Sequence, residues 1–396
     1  MLILRRATGS VAPTNIANIE ICRGDPVGRP KTRSRLLFPS SLGKGPGHVD
    51  IDLRGWGRKS MNRGVAYYIL GRFLQSVMVL WIIVTLLFLL FRLAPSNPLA
   101  SYIDTTFTKQ QEAALLARFG LDKPLGEQYI IYLVNLLKLD LGDTFSYSGK
   151  TVLDILGADL PNTIYLTLTS LLLAYAVGVL GGVVMAALRG SWIERVGTTF
   201  TLMTRAAPQF WVGMLLLTFF AFQWKLLPSS GIGPPMVRYR WETEWDKLMS
   251  PVFWRHMILP TFTLALYLHG LPLLLMRSNM LEVLDQDYVT MSRLAGYSEW
   301  RVMIQTAARN AMLPVLTALT LGIGYSIGGN VVIEHVFSWP GLGRTLVRAV
   351  QQADYPLAQG AFFLIALIIV FMNFIADILY SLLDPRVGAS AQAQVS

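Results

Sequence analysis

Apolar runs of about twenty residues recur along the chain, separated by polar intervals. They predict membrane spans at about 73–93, 163–188, 210–227, 256–276, 313–333 and 361–383, each close to the length that crosses a bilayer core. One polar interval does not read as a loop. In residues 281–314, LEVLDQDYVTMSRLAGYSEWRVMIQTAARNAMLP, the positions Leu281, Leu284, Tyr288, Met291 and Ala295 recur at the helical period. Gly296 interrupts the pattern. After Ser298, placed as an N-cap, a second stripe runs through Trp300, Met303, Ile304, Ala307 and Ala311, with Arg301, Gln305 and Arg309 on the other side. The prediction is helix, glycine turn, helix. Period alone leaves two readings: a knob that fits a groove on a partner, or an interfacial helix pair lying on lipid headgroups.

Composition fixes the class. Of 396 residues, 53% are hydrophobic and 15% charged, where a soluble domain carries nearer a quarter charged. The chain is therefore read as an all-α polytopic membrane protein with six transmembrane helices. Its formal charge of +10 is concentrated: residues 1–60 hold 11 Lys/Arg against 4 Asp/Glu. This Gly-, Pro- and Ser-rich segment has no sustained period and is expected to be disordered. The favoured reading makes it a basic extension upstream of a mis-assigned start, with Met61 opening the natural chain. The alternative is a basic arm touching anionic lipid. No basic helix interleaved with aromatics follows, so nucleic acid is not an expected partner.

Charge also orders the spans. Arg63 and Arg72 precede the first span and place its N-terminus in the cytoplasm. Residues 95–160 carry 5 Lys/Arg against 8 Asp/Glu, which suits the translocated side. They include two amphipathic pieces, Gln110–Phe119 and Gln128–Leu139, so a folded external region is expected. The connection 189–207, with Arg189, Arg195 and Arg205 against Glu194, returns to the cytoplasm. Pro208 should break or kink the third span, and Pro260 and Pro272 should bend the fourth. Residues 228–255 lie outside, with Trp241, Trp245 and Trp254 suited to an interface belt. Gly324 and Gly328 in the fifth span form a small-xxx-small pair. Residues 334–358 are external, and 389–396 form a short tail. Six spans put both termini and the 281–312 loop in the cytoplasm.

The wording of the chain adds a resemblance. Asp287, Tyr288, Val289, Arg293, Ala295 and Gly296, then Arg309, Asn310, Ala311, Leu313 and Pro314, resemble the EAA loop of ABC importer permeases in the dipeptide, oligopeptide and nickel branch. FGLDKPLGEQY (119–129), LDLGDTF (139–145), Phe337 with Trp339–Gly343, Asp354–Pro356 and Asp384–Arg386 extend the likeness over about 61–388. The three positions that give the loop its name are Thr290, Met291 and Ser292 here, a departure from Glu-Ala-Ala. The resemblance implies an ABC type I importer permease fold in a bacterial inner membrane. It implies that the loop, with Asp287, Tyr288, Met291, Arg293, Ala295, Gly296, Arg309, Asn310 and Pro314, couples to an ATPase. It also implies four kinds of partner: a second homologous permease subunit, two ATP-binding subunits, an extracytoplasmic solute-binding protein and the lipid bilayer.

Chemistry within the chain is sparse. There is no Walker A motif: Gly149-Lys150-Thr151 lacks the glycine five positions earlier, where Thr144 stands. No HExxH, nucleophile elbow or cysteine pair occurs. Cys22 is alone, and His48, His256, His269 and His335 lack metal-ligand spacing. No catalytic residue, metal or cofactor is therefore assigned to this chain. Asp377, with Asn373 one turn earlier, is an intramembrane acid close to the cytoplasmic end, read at least as readily as a packing or capping group as a functional one. Tyr325, Ser326 and Asn330 are the pore-lining candidates, against ordinary interhelical hydrogen bonding. Without a proton relay or inverted repeats, the energy is expected to come from ATP-Mg on partner subunits. The alternative is an ATPase-independent secondary carrier or channel; a membrane enzyme has no constellation to support it. The solute is expected to be a di- or oligopeptide or a related small solute.

Overall fold

The apolar runs fold as helices that begin before their predicted starts. The structure, a computed structural model, describes residues 56–93, 123–147, 149–233, 241–328 and 331–383. The chain divides into two units, Met1–Leu53 and Arg54–Ser396, and everything described lies in the second. Most of the basic extension, the Gln110–Phe119 piece and the closing tail fall outside the described residues. Helix α1 (Trp56–Arg92) carries the first predicted span and starts five residues before Met61. After it comes α2 (Leu125–Leu137), at the second amphipathic piece.

Helix α3 (Val152–Ala187) has 36 residues, about 54 Å at the standard rise. It starts well before residue 163 because Thr151 and Asp154 form a capping box, which satisfies the first amides with polar groups that hydropathy counts against a span. Gly149, the former P-loop candidate, has φ +78° and only turns the chain into this cap. Helix α4 (Trp192–Ala206) is capped by Ser191. Pro208 breaks the chain as expected: α5 (Gln209–Leu216) starts after it and continues as a π-helix over Leu217–Gln223, bent 105° from α4.

The external interval gives α6 (Glu244–Met249), then α7 (Pro251–Leu268) and α8 (Gly270–Leu284), which bend by 42° at the break. Trp245 and Trp254 stay exposed, but Trp241 turns inward, 6.2 Å from the Phe253 ring, so it is a packing residue and not part of an interface belt. His256 and His269 each bond a carbonyl of the preceding turn through Nδ1. The remaining helices are α9 (Asp287–Leu294), α10 (Glu299–Arg301) with a π-helix over Val302–Ala308, α11 (Arg309–Gly328), α12 (Val331–Val336), α13 (Leu342–Gln351) and α14 (Tyr355–Leu383). By length and apolar composition, three described helices can cross a membrane, or up to five if each bent pair is one span. The fold is all-α and polytopic.

Two contacts set the frame. On α1 and α14, Asp377 accepts an ion pair from Arg72 at 3.5 Å, and Phe73 meets Phe374 edge-on at 6.0 Å; the intramembrane acid is therefore a helix-packing group. On α3, Gly178 and Gly182 let α8 approach backbone to backbone. A Cβ at Gly182 would lie 2.6 Å from Met276 Cβ and 2.7 Å from the Leu273 carbonyl oxygen. Neither neighbour can retreat, so Gly182→Leu is expected to lower stability by about 1–3 kcal/mol through overpacking. The unfolding midpoint in detergent measures it. Gly157→Leu, whose Cβ meets nothing within 4 Å, is the control. Equal midpoints for the two variants would contradict this packing.

Candidate functional site

The 281–314 interval is anchored from below by an apolar cluster. Val183 and Ala186 of α3, Met276 and Met280 of α8, Met303, Ala307 and Ala308 of the π-helix, and Ala311 and Val315 of α11 are buried together. Leu281 and Leu284 pack against this cluster. The chain then bends at Asp285–Gln286 into α9, and Val289 takes the inner place with no exposure. The first stripe therefore splits: Leu281 and Leu284 face inward, while Tyr288, Met291 and Ala295 face out.

The second stripe is also redistributed. A π-helix holds more residues per turn than an α-helix, so a three-four spacing slips across it. Val302, Met303, Ala307 and Ala308 are buried, whereas Trp300, at 75%, and Ile304 are exposed. Between the helices Gly296 has φ +81°, a conformation that costs other residues energy. Ser298 occupies the N-cap position of α10 but makes no side-chain cap bond. The Arg293–Glu299 pair, 3.1 Å apart, bridges the glycine turn, and Arg301 lies 4.8 Å from the Tyr297 ring centroid.

The result is a knob that carries exposed apolar side chains. Tyr288, Met291, Leu294, Tyr297 and Trp300 are all exposed, rimmed by Asp287, Arg293 and Arg309. Scattered exposed apolar residues are ordinary, but a contiguous patch with a polar rim marks an interaction surface. Beside it an open cleft of about 530 Å³ is lined by Glu282, Val283, Gln286, Tyr288 and Asn310. Asn310 and Pro314 are exposed on the first turns of α11. Thus Asp287, Tyr288, Met291, Arg293, Ala295, Arg309, Asn310 and Pro314 are all exposed, with Gly296 at the turn between the helices. Tyr325 and Ser326 lie on α11 at positions whose side chains are not described, and Asn330 lies outside the described residues.

Two polar clusters near the two ends of α3 carry no signal in the sequence. At the end near the knob, Glu194 accepts from Arg277 Nε at 2.9 Å and from Arg277 Nη2. At the far end, between the fifth and sixth predicted spans, Glu334 has no exposure. It accepts from Gly343 N (2.7 Å), Arg344 N (3.1 Å) and Thr163 Oγ1 (2.7 Å). Thr163 in turn accepts from Leu342 N at 2.9 Å, so the first three amides of α13 are satisfied by α3 and α12. Asn162 donates to the Pro340 carbonyl at 2.7 Å and accepts from Trp339 Nε1 at 3.0 Å. A Cβ at Gly341 would strike the Glu334 carboxylate, and one at Gly343 would strike the Val331 Cα. Burial pushes the Glu334 carboxyl up to about 7, against the opposing pull of Thr163 and the two amides.

The likeness to known proteins follows the same arrangement. A family profile described as "Binding-protein-dependent transport system inner membrane component" matches residues 178–389, from the Gly178 contact through the knob to the last helix. The corresponding N-terminal profile matches residues 65–167. The oligopeptide transport system permease protein AppB of Bacillus subtilis is 35% identical over 325 residues, covering 82% of this chain and 99% of its own. A probable peptide ABC transporter permease of Sinorhizobium fredii is 34% identical over 320 residues, 81% and 98%. A putative peptide permease of Brucella suis is 33% identical over 322 residues, 81% and 98%. With the helical frame, the knob and both profiles in register, this chain belongs to the inner-membrane components of binding-protein-dependent transport systems, the permease subunits of ABC importers.

Proposed function

We propose that this chain is the membrane-spanning subunit of an ATP-driven importer of di- or oligopeptides, with the 281–314 knob as the handle gripped by an ATP-hydrolysing subunit. The exposed side chains Tyr288, Met291, Leu294, Tyr297 and Trp300 carry the reading. They lie on a segment between apolar helices, with a buried cluster beneath. The peptide class comes from the names of the relatives, whose whole length this chain covers.

In this reading the chain binds no cofactor, and ATP-Mg is held by two partner subunits. A second homologous permease subunit completes the path through the bilayer, and an extracytoplasmic binding protein delivers the solute. The termini and the knob face the cytoplasm. ATP closes the partner subunits, the knob moves with them, and the helices swing open outward; hydrolysis returns them and releases the solute inward.

Leu294→Asp tests the docking surface. The side chain is 79% exposed, so folding is expected to be unaffected, while affinity for the ATPase subunits falls about tenfold or more, as for an apolar anchor. Co-purification and ATPase titration measure it. Peptide uptake into liposomes by the permease alone, with no ATPase present, would favour the secondary carrier and defeat this reading.

A further inference from the structure

We infer that the Glu194–Arg277 ion pair is the positioning contact through which movement of the knob is delivered to α3. The inference rests on the reading of the knob as a handle. The knob hangs from the end of α8, and Arg277 lies two turns before that end, about 10 Å along the axis. Between α8 and α3 the contact is close and apolar: Gly178 and Gly182 face His269, Pro272, Leu273 and Met276 at distances that leave no room for a side chain, and Val183 and Ala186 pack on Met276 and Met280. Such a surface keeps the helices close, but apolar packing is non-directional.

The directional contact is at Glu194. Its carboxylate is buried, with only 6% residual exposure. It holds Arg277 Nε and Nη2 and, through its second oxygen, the Gly190 amide at 2.6 Å. Gly190, with φ +82°, is the corner between α3 and α4. One carboxylate therefore fastens α8 to the α3–α4 corner at a fixed height. Two guanidinium N–H groups converge on one carboxylate oxygen, and such charge-assisted bonds are about twice as strong as neutral ones. Since α3 is one continuous helix to the far end, a shift of α8 at this corner is passed to Asn162 and Thr163, which hold Pro340 and Glu334. The pair touches no solute and no nucleotide; it acts by making α8 and α3 move as one body.

The test uses the complete complex, with both permease subunits, the ATPase subunits and the binding protein, in proteoliposomes. The probe is an equimolar mixture of di- to pentapeptides, and the readout is peptide taken up per ATP hydrolysed. Glu194→Gln and Arg277→Gln are each expected to lower that ratio about tenfold, the range of ordinary coupling energies, while the complex still assembles and hydrolyses ATP. The double variant is expected to be no worse than either single one, as for two halves of one contact. Arg277→Lys, which keeps the charge and loses the fork geometry, is expected to fall between. An unchanged ratio, additive losses in the double variant, or loss of assembly in step with uptake would overturn the inference. A wild-type complex whose uptake ignores ATP would instead overturn the proposed function, so the two failures are separable.

Discussion

Trp339→Ala is expected to destabilise the protein by about 3–5 kcal/mol, the cost of emptying a large buried aromatic site. Trp339 has no exposure and belongs to the cluster that joins Leu166, Leu217, Phe253, Met257 and Phe337. Its ring centre lies 5.6 Å from that of Phe253. The surrounding side chains come from α3, α7, α12 and the π-helix after α5, and these elements cannot all move inward to fill the space. The indole also donates to the Asn162 carbonyl at 3.0 Å, in the turn of α3 that contains Pro161. Trp339→Phe separates the two contributions: it keeps most of the apolar volume and loses the donor, and is expected to cost about 1–2 kcal/mol. Trp211→Ala, at a site 50% exposed, is the control and should shift the unfolding midpoint little. Midpoints in detergent rank the three; Trp339→Ala no lower than Trp211→Ala would mean that Trp339 does not anchor this cluster.

The Trp339 cluster is one of the features that the chain alone does not display. The apolar runs give the helices because a bilayer demands a length, and Pro208 breaks its helix because a missing amide is a local matter. The knob was legible for the same reason: its helical period and Gly296 are local signals. Helix ends were not, since Thr151 and Asp154 extend α3 through a polar cap that hydropathy scores as loop. Nor was the inward face of the knob, because the π-helix over Val302–Ala308 shifts the register and nothing in the residue types marks it. The pairs that tie the helices together lie far apart in sequence, 83 residues for Glu194–Arg277 and 171 for Thr163–Glu334. Glu194 was read only as a lone acid among arginines, and Glu334 only as the first residue of an external segment. Their partners are chosen by how helices cross, which is a tertiary property.

Glu334 makes that tertiary choice measurable as a pH dependence. Its carboxyl is pushed up to about 7 from an ordinary 4.5, chiefly by burial, with the nearby Asp159 carboxyl adding to the rise. The unfolded chain ionises at the lower value, so between the two it has lost a proton that the folded protein keeps. The raised value thus favours folding fully below about pH 4.5, and this benefit disappears as pH rises through about 7. At 1.36 kcal/mol per unit, the shift amounts to about 3 kcal/mol across the window. Glu334→Gln stays neutral and can still accept from the Gly343 and Arg344 amides. It should match the parent near pH 5 and exceed it by up to about 3 kcal/mol at pH 8. Glu334→Ala leaves the Gly343 and Arg344 amides with no acceptor for their N–H groups and should be weaker than the glutamine variant throughout. Unfolding midpoints of the three proteins from pH 5 to 8, in one detergent, give the comparison. Parallel curves for glutamate and glutamine would show that three hydrogen-bond donors outweigh burial, and that Glu334 is an ordinary carboxylate capping α13.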